Sequence, residues 1–155
     1  MARVFVETTI PSFYFETRTT RRMQDWREQT RFWWDSLRHG YELITSEFVL
    51  AEFARSPEAK SREAEVFFTG VAIVGEPPDF GRVVREYISH KLMPASAVGD
   101  AAHLAMASMH AADFLLTWNC EHLANANKRR HIEVINRRLG LPIPMITTPF
   151  ELLPE

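Results

Sequence analysis

Three acidic residues stand where a carboxylate is costly to ionise. Glu7 follows the apolar run Val4-Phe5-Val6, Glu52 interrupts Phe48-Val49-Leu50-Ala51 and Phe53-Ala54, and Asp100 heads the apolar stretch from Ala101 to Ala112. Buried carboxylates need compensation by a positive group. Three of them, far apart in the chain, suggest one shared partner, and a divalent cation is the simplest. Each also has a plain alternative. Glu52 could reach solvent or pair with Arg55, Asp100 could be a charge at a helix start, and Glu7 could simply end a strand.

Other chemistries are less well served by the residues. Cys120-x-His122, with His103, His110 and His131 elsewhere, lacks the paired spacing of structural zinc modules. His103 is better read as hydrogen-bonded in the core or near the acids. Glu7-Thr8-Thr9-Ile10-Pro11 contains no glycine-rich turn for a dinucleotide, and the chain has neither a P-loop nor a Gly-x-Ser-x-Gly elbow. A glutamate at position 7 also argues against an aspartyl-phosphate phosphatase.

The elements that must position these acids follow from periodicity. Val4-Phe5-Val6 predicts a buried strand, and Pro11 closes the segment after it. From Thr19 to Arg38, Met23, Trp26, Thr30, Trp33 and Leu37 recur at helical steps, and Gly40 stands at the expected C-terminal cap. Tyr41 to Thr45 predicts a second strand, and Ser46 an N-cap for a helix that ends before Pro57. A polar helix over 58–68 leads to a short edge strand over 71–74. Pro77-Pro78 opens a helix carrying Phe80, Val83, Val84, Tyr87 and Ile88, and the helix over 98–111 is apolar almost all round, as a central one would be. A strand over 114–117, a helix over 128–139 and a strand over 145–147 complete the pattern.

Strands alternating with helices predict an α/β fold: a mainly parallel central sheet flanked by helices on both faces, three layers in all, as a single domain over 1–155. In such sheets sites form beyond the carboxyl ends of the strands. Glu7 lies just past the first strand, Glu52 on the helix leaving the second, Asp100 in the first turn of the buried helix and Asn119 two residues past Thr117. All four are placed to share one edge. Asp113 starts its strand and lies about 13 Å from Thr117 at ~3.3 Å per residue.

Bulk properties set the outer bounds. The 155 residues are 46% hydrophobic and 25% charged, the profile of a globular domain able to bury a core. The net charge of −2 provides no global attraction to polyanions, so nucleic acid would have to meet a local basic patch. Lys128-Arg129-Arg130-His131 and the trio Arg18, Arg21, Arg22 are the candidates, against the alternative of solvated helix faces. One cysteine excludes an intrachain disulfide framework. With no long apolar run and no leader-like start, the expectation is a cytoplasmic protein with no membrane partner.

Taken together, Glu7-Thr8-Thr9 after a first strand, Ser46 and Glu52 on a helix, Asp100-Ala101-x-His103-x-Ala105-x-Ala107, and Asp113-x-Leu115-Leu116-Thr117-Trp118-Asn119 resemble a PIN domain. The likeness is greatest to VapC-type toxins of toxin–antitoxin pairs, and it spans nearly the whole chain. It implies a PIN-like, Rossmann-like sheet and a Mg²⁺- or Mn²⁺-dependent ribonuclease, with Glu7, Glu52 and Asp100 as metal ligands, those three and Asn119 as the catalytic set, and an RNA substrate. A protein antitoxin and a homodimer are the implied partners. Thr8, Thr117, Lys128, Arg129 and Arg130 are then candidate phosphate contacts, and Trp118 either stacks on a base or is buried. Two positions depart from the family pattern. Glu7 is one methylene longer than the usual aspartate, and Asn119 is neutral where an aspartate is often found. The departures leave open a second reading, a catalytically weak or inactive PIN-fold module acting through protein association. Trp26, Phe32, Trp33 and Trp34, spread over more than one helical face, would supply such a surface.

Overall fold

The computed structural model describes residues 1–154. Five short strands, β1 (Arg3–Val6), β2 (Glu42–Ser46), β3 (Ala72–Val74), β4 (Phe114–Leu116) and β5 (Met145–Thr147), form one sheet in the order β3-β2-β1-β4-β5. Every pairing is parallel. The chain runs outward from β1 to β3, then crosses back to β4 and on to β5. Strand order therefore reverses beside β1, which lies at the centre. A parallel sheet buried on both faces needs continuously apolar strands, and Val4, Phe5, Val6, Leu115 and Leu116 are all fully buried.

Seven α-helices make the crossovers: α1 (Thr9–Tyr14), α2 (Arg21–Phe32), α3 (Glu47–Ala54), α4 (Glu58–Phe67), α5 (Phe80–Ser89), α6 (Val98–Met109) and α7 (Ala126–Arg138). Right-handed crossovers direct α1–α4 to one face and α5–α7 to the other. On the first face aromatic rings do the packing. Trp34 stacks on Phe67 at 3.8 Å, and Tyr14 meets the same ring edge-on. On the second, a buried polar network ties three helices: the Tyr87 hydroxyl donates to Asn136 at 2.6 Å, and the Asn136 amide donates to Ser108 at 2.9 Å. α6 is central, with every residue from Ala101 to Ser108 buried.

The expected sheet and helices are present, with two local differences. Pro11 does not close the first segment but sits inside α1. At the third position of a helix its missing N–H is one the helix would leave unpaired anyway. The long first helix is not uniform either. After Phe32 it widens into a π-turn, Trp33–Leu37, and tightens into a 3₁₀ turn, Arg38–Gly40. The widening lets the consecutive Trp33 and Trp34 both enter the core, and Trp33 Nε1 donates to the Leu152 carbonyl at 2.9 Å.

Candidate functional site

Glu7 is the first residue beyond β1, at the centre of the sheet's carboxyl edge, and its side chain is buried. It is held by its own loop. The Thr9 backbone N–H donates to Glu7 Oε1 at 2.8 Å, and the Thr9 hydroxyl donates to the same oxygen. That hydroxyl also accepts the Trp118 N–H at 2.8 Å, so one threonine joins the ends of β1 and β4. Burial drives the Glu7 carboxyl above the usual carboxylate range, against the opposing charge of His103 and the Thr9 hydrogen bonds.

Glu52 and Asp100 reach the same edge from opposite faces of the sheet. Ser46 caps α3, its hydroxyl accepting the Val49 N–H at 3.3 Å, and Glu52 lies on that helix. α3 and α6 touch there, and the approach at Gly99 is close: a Cβ at that position would lie 3.2 Å from Glu52 Oε1, so the carboxylate would have to shift slightly to admit one. One turn into α6, the buried His103 points its Nε2 at Glu52 Oε1, 2.8 Å away. Thr8 donates its hydroxyl to the other carboxylate oxygen at 2.7 Å. Asp100 precedes His103 by three residues on the same helix, and its charge acts on the imidazole.

His103 thus contacts Glu52 directly and lies within the field of Glu7 and Asp100. Burial lowers its proton affinity, but the Glu52 hydrogen bond and the charges of Glu7, Glu52 and Asp100 outweigh burial and raise it above the ordinary histidine value. Reciprocally, burial lifts Glu52, while the hydrogen bond and charge of His103, then the Thr8 hydroxyl, pull it to a net value below the ordinary one. Arg55, the partner suggested by sequence proximity, contributes only a distant charge to Glu52.

The remaining candidates are largely committed to local structure. Asn119 Oδ1 accepts the His122 N–H at 3.0 Å, and Thr117 Oγ1 accepts the Asn119 N–H at 2.9 Å, so both shape the turn after β4. Lys128 Nζ donates to the Leu92 carbonyl at 2.8 Å. Arg129 faces Glu151 at 3.7 Å, and Arg130 is exposed. Arg18 is paired with Glu16, and the Arg22 guanidinium lies 4.5 Å from the ring centre of Trp26. Trp118 is buried, stacked on Trp26 at 4.5 Å and donating to Thr30 at 2.8 Å. Of the aromatic residues on the first long helix, Phe32 is the one left largely exposed.

Beside Glu52 runs a groove of about 550 Å³ between α3, α5 and α6. Phe48, Phe80, Val84 and Val98 line it, with the first two rings stacked at 4.8 Å and Val98 55% exposed. Arg55 and Arg85 stand on its rim, both exposed, and neither forms an ion pair among the described residues. Nothing in the sequence pattern singled out this groove, because its lining comes from three separate helices.

Mg²⁺ or Mn²⁺ would require free oxygen ligands around one point. Here both Glu52 oxygens accept hydrogen bonds and Glu7 Oε1 accepts two. Among the described residues no group of three or more histidines, cysteines, aspartates or glutamates is arranged to hold an ion. As placed, the side chains do not fit a divalent cation.

The fold and this edge define an α/β protein of the PIN-like, Rossmann-related kind. No family model matches the chain, and no curated protein matches it. Solved structures do. A toxin–antitoxin complex from Klebsiella pneumoniae is similar with a TM-score of 0.59 and 14% identity, over 96% of this chain and 99% of that one. VapBC2 from Rickettsia felis, bound to a DNA fragment from its promoter, gives 0.54 and 13%, over 94% and 98%. VapC20 from Mycobacterium tuberculosis, a Sarcin–Ricin loop cleaving toxin, gives 0.56 and 16%, over 77% and 92%. At these identities the likeness is one of fold.

Proposed function

We propose that this chain is a PIN-fold module that works by binding a protein partner of the antitoxin kind, with its acidic edge catalytically weak or silent. The observation that carries this reading is the groove beside Glu52: an apolar floor of Phe48, Phe80, Val84 and Val98, with Arg55, Arg85 and the exposed Glu76 around it and no ion pair on either arginine. Apolar area ringed by unpaired charge is the composition of a protein-binding patch. Its complement is an apolar segment with a carboxylate placed to meet Arg55 or Arg85. The fold neighbours that are toxin–antitoxin complexes support a partner of that class. Closure of Glu52 by His103 and Thr8 supports a quiet edge.

A second reading, a Mg²⁺- or Mn²⁺-dependent endoribonuclease, is favoured by the position of Glu7, buried just past the central strand, with Glu52 on the helix that leaves the neighbouring strand. One experiment separates the two. The chain is co-expressed with the product of any short reading frame that adjoins its own gene, and the purified chain is separately incubated with RNA and Mn²⁺. The association reading expects co-purification that Val98→Glu and Arg85→Glu abolish, with no cleavage. Mn²⁺-dependent cleavage lost in Asp100→Asn, with no co-purification, overturns it.

A further inference from the structure

β5 is an outer strand of the sheet, with β4 its only neighbour. In a parallel ladder alternate residues turn their backbone groups to a given neighbour. Here the Met145 N–H donates to the Asp113 carbonyl and the Thr147 carbonyl accepts the Thr117 N–H, both at 2.9 Å. Ile146 between them therefore aims its N–H and C=O away from the sheet, while its side chain is buried. By the same alternation Pro144 and Thr148, just outside the strand, face outward too. No hydrogen bond among the described residues uses the Pro144 carbonyl or the Thr148 N–H. The Thr148 carbonyl is already taken, by the N–H groups of Glu151 and Leu152 at 3.0 and 3.1 Å. Pro144 has no N–H to give. Between this edge and α7 lies a groove of about 230 Å³, lined by Ile132, Pro144, Met145 and Ile146, with Met145 63% exposed. Its charged lining, Arg129 and Glu133, is paired within the chain, with Glu151 and Arg137.

We propose that the β5 edge is an interface for a second copy of this chain, paired antiparallel about a two-fold axis at Ile146 so that two sheets become one. In that register the Ile146 N–H and C=O groups of the two copies bond each other reciprocally. Residue 144 of one copy then faces residue 148 of the other, and each Pro144 carbonyl accepts a Thr148 N–H. The remaining two groups of that pair also agree. An unrelated strand would bring an N–H against the Thr148 carbonyl, which is already in use, whereas an identical strand brings a proline there. Proline ordinarily guards an edge strand against pairing. Here it disfavours strands that need its N–H and admits this one. Met145 would meet its own copy diagonally across the axis, about 7–8 Å away, which covers an exposed apolar side chain. The proposal goes beyond the association reading and is independent of it, because the groove beside Glu52 is built from other elements, α3, α5 and α6.

The test is sedimentation equilibrium of the full chain. Wild type is expected to be dimeric at concentrations on the order of 100 µM, the range of a small, weak interface. Met145→Lys and Met145→Glu each set like charges across the axis and should weaken the dimer at least about tenfold. Met145→Leu should leave it within about threefold. An equal mixture of the lysine and glutamate variants should associate again, because opposite charges then face each other. Val98→Glu, in the groove beside Glu52, should dimerise as wild type does, so failure of that groove as a docking site leaves this result untouched. A monomeric wild type overturns the proposal, as does a lysine variant that associates like wild type or a mixture no stronger than its components. A monomeric wild type that captures an extended segment of another protein, and loses it in Met145→Lys, gives the edge to a different partner and equally overturns the proposal.

Discussion

His103 Nε2 lies 2.8 Å from Glu52 Oε1, and through that contact α6 on one face of the sheet is fastened to α3 on the other. No other hydrogen bond links these two helices among the described residues, so the pair has a structural duty whatever the edge does chemically. Each member desolvates the other's charge and relieves its cost, which makes the two energetically inseparable.

That coupling is measurable by urea unfolding. His103→Leu strips Glu52 of its main donor, and Glu52→Ala leaves the buried imidazole N–H short of an acceptor. Each should cost about 2–3 kcal/mol. The double variant should lose less than the sum by about 1–2 kcal/mol. Strict additivity would mean that the contact contributes nothing to folding.

Ser46 sits at the junction of β2 and α3, its hydroxyl accepting the Val49 N–H. Ser46→Ala should destabilise the chain by about 1 kcal/mol, the usual worth of an N-cap, and Ser46→Asp should restore it. Thermal denaturation of the three proteins checks this. Equal stability of serine and alanine would show that the packing of Val49 and Phe53, both buried, fixes the helix start by itself.

Much of this architecture was legible in the chain because burial leaves periodic traces. The apolar β1, the Ser46 cap and the all-round apolar α6 each predict their place, and Glu7 and Glu52 do fall at the carboxyl edge of the sheet, where Glu52 meets His103. What was not legible was the identity of that group. Sequence spacing shows that His103 follows Asp100 by one helical turn, but not that its ring points across to α3. The same blindness applies to Asn119 and Lys128. Both have the right residue type for a site, yet their polar atoms are used by His122 N–H and the Leu92 carbonyl, contacts that depend on turn geometry. The groove rim was hidden for another reason: Arg55 and Arg85 are 30 residues apart and come together only when α3 and α5 pack.

Thr9 carries more of the edge than a loop threonine usually does. Its hydroxyl donates to Glu7 and accepts from the Trp118 N–H, so it satisfies a buried acid and a backbone donor together. Thr9→Val preserves shape but removes both contacts, and should cost about 2–3 kcal/mol. Thr9→Ser keeps the hydroxyl and should cost less than about 1 kcal/mol. Chemical denaturation distinguishes the two. If serine proves as costly as valine, the methyl packing rather than the hydroxyl is what matters.

The network of Tyr87, Asn136 and Ser108 predicts a pH dependence on the alkaline side. Burial pushes the Tyr87 hydroxyl up to about 12 from its ordinary 10.0, even though hydrogen bonds with Ser108 and Asn136 oppose the rise. In the unfolded chain the phenol loses its proton near pH 10, whereas in the folded chain it keeps it until about pH 12. The unfolded state therefore binds fewer protons in that interval, and stability must fall as pH rises through it. The contribution is complete below pH 10 and is lost toward pH 12, on the order of 2–3 kcal/mol. Tyr87→Phe should be less stable than wild type at pH 8, by about 1–2 kcal/mol for the Asn136 acceptor left short of a donor. Its deficit should then shrink between pH 10 and 12, because the variant has no phenol to ionise. Urea melts of both proteins at pH 8, 10 and 11.5 test the sign, and a deficit that widened with pH would show that Tyr87 ionises more readily in the folded chain than in the unfolded one.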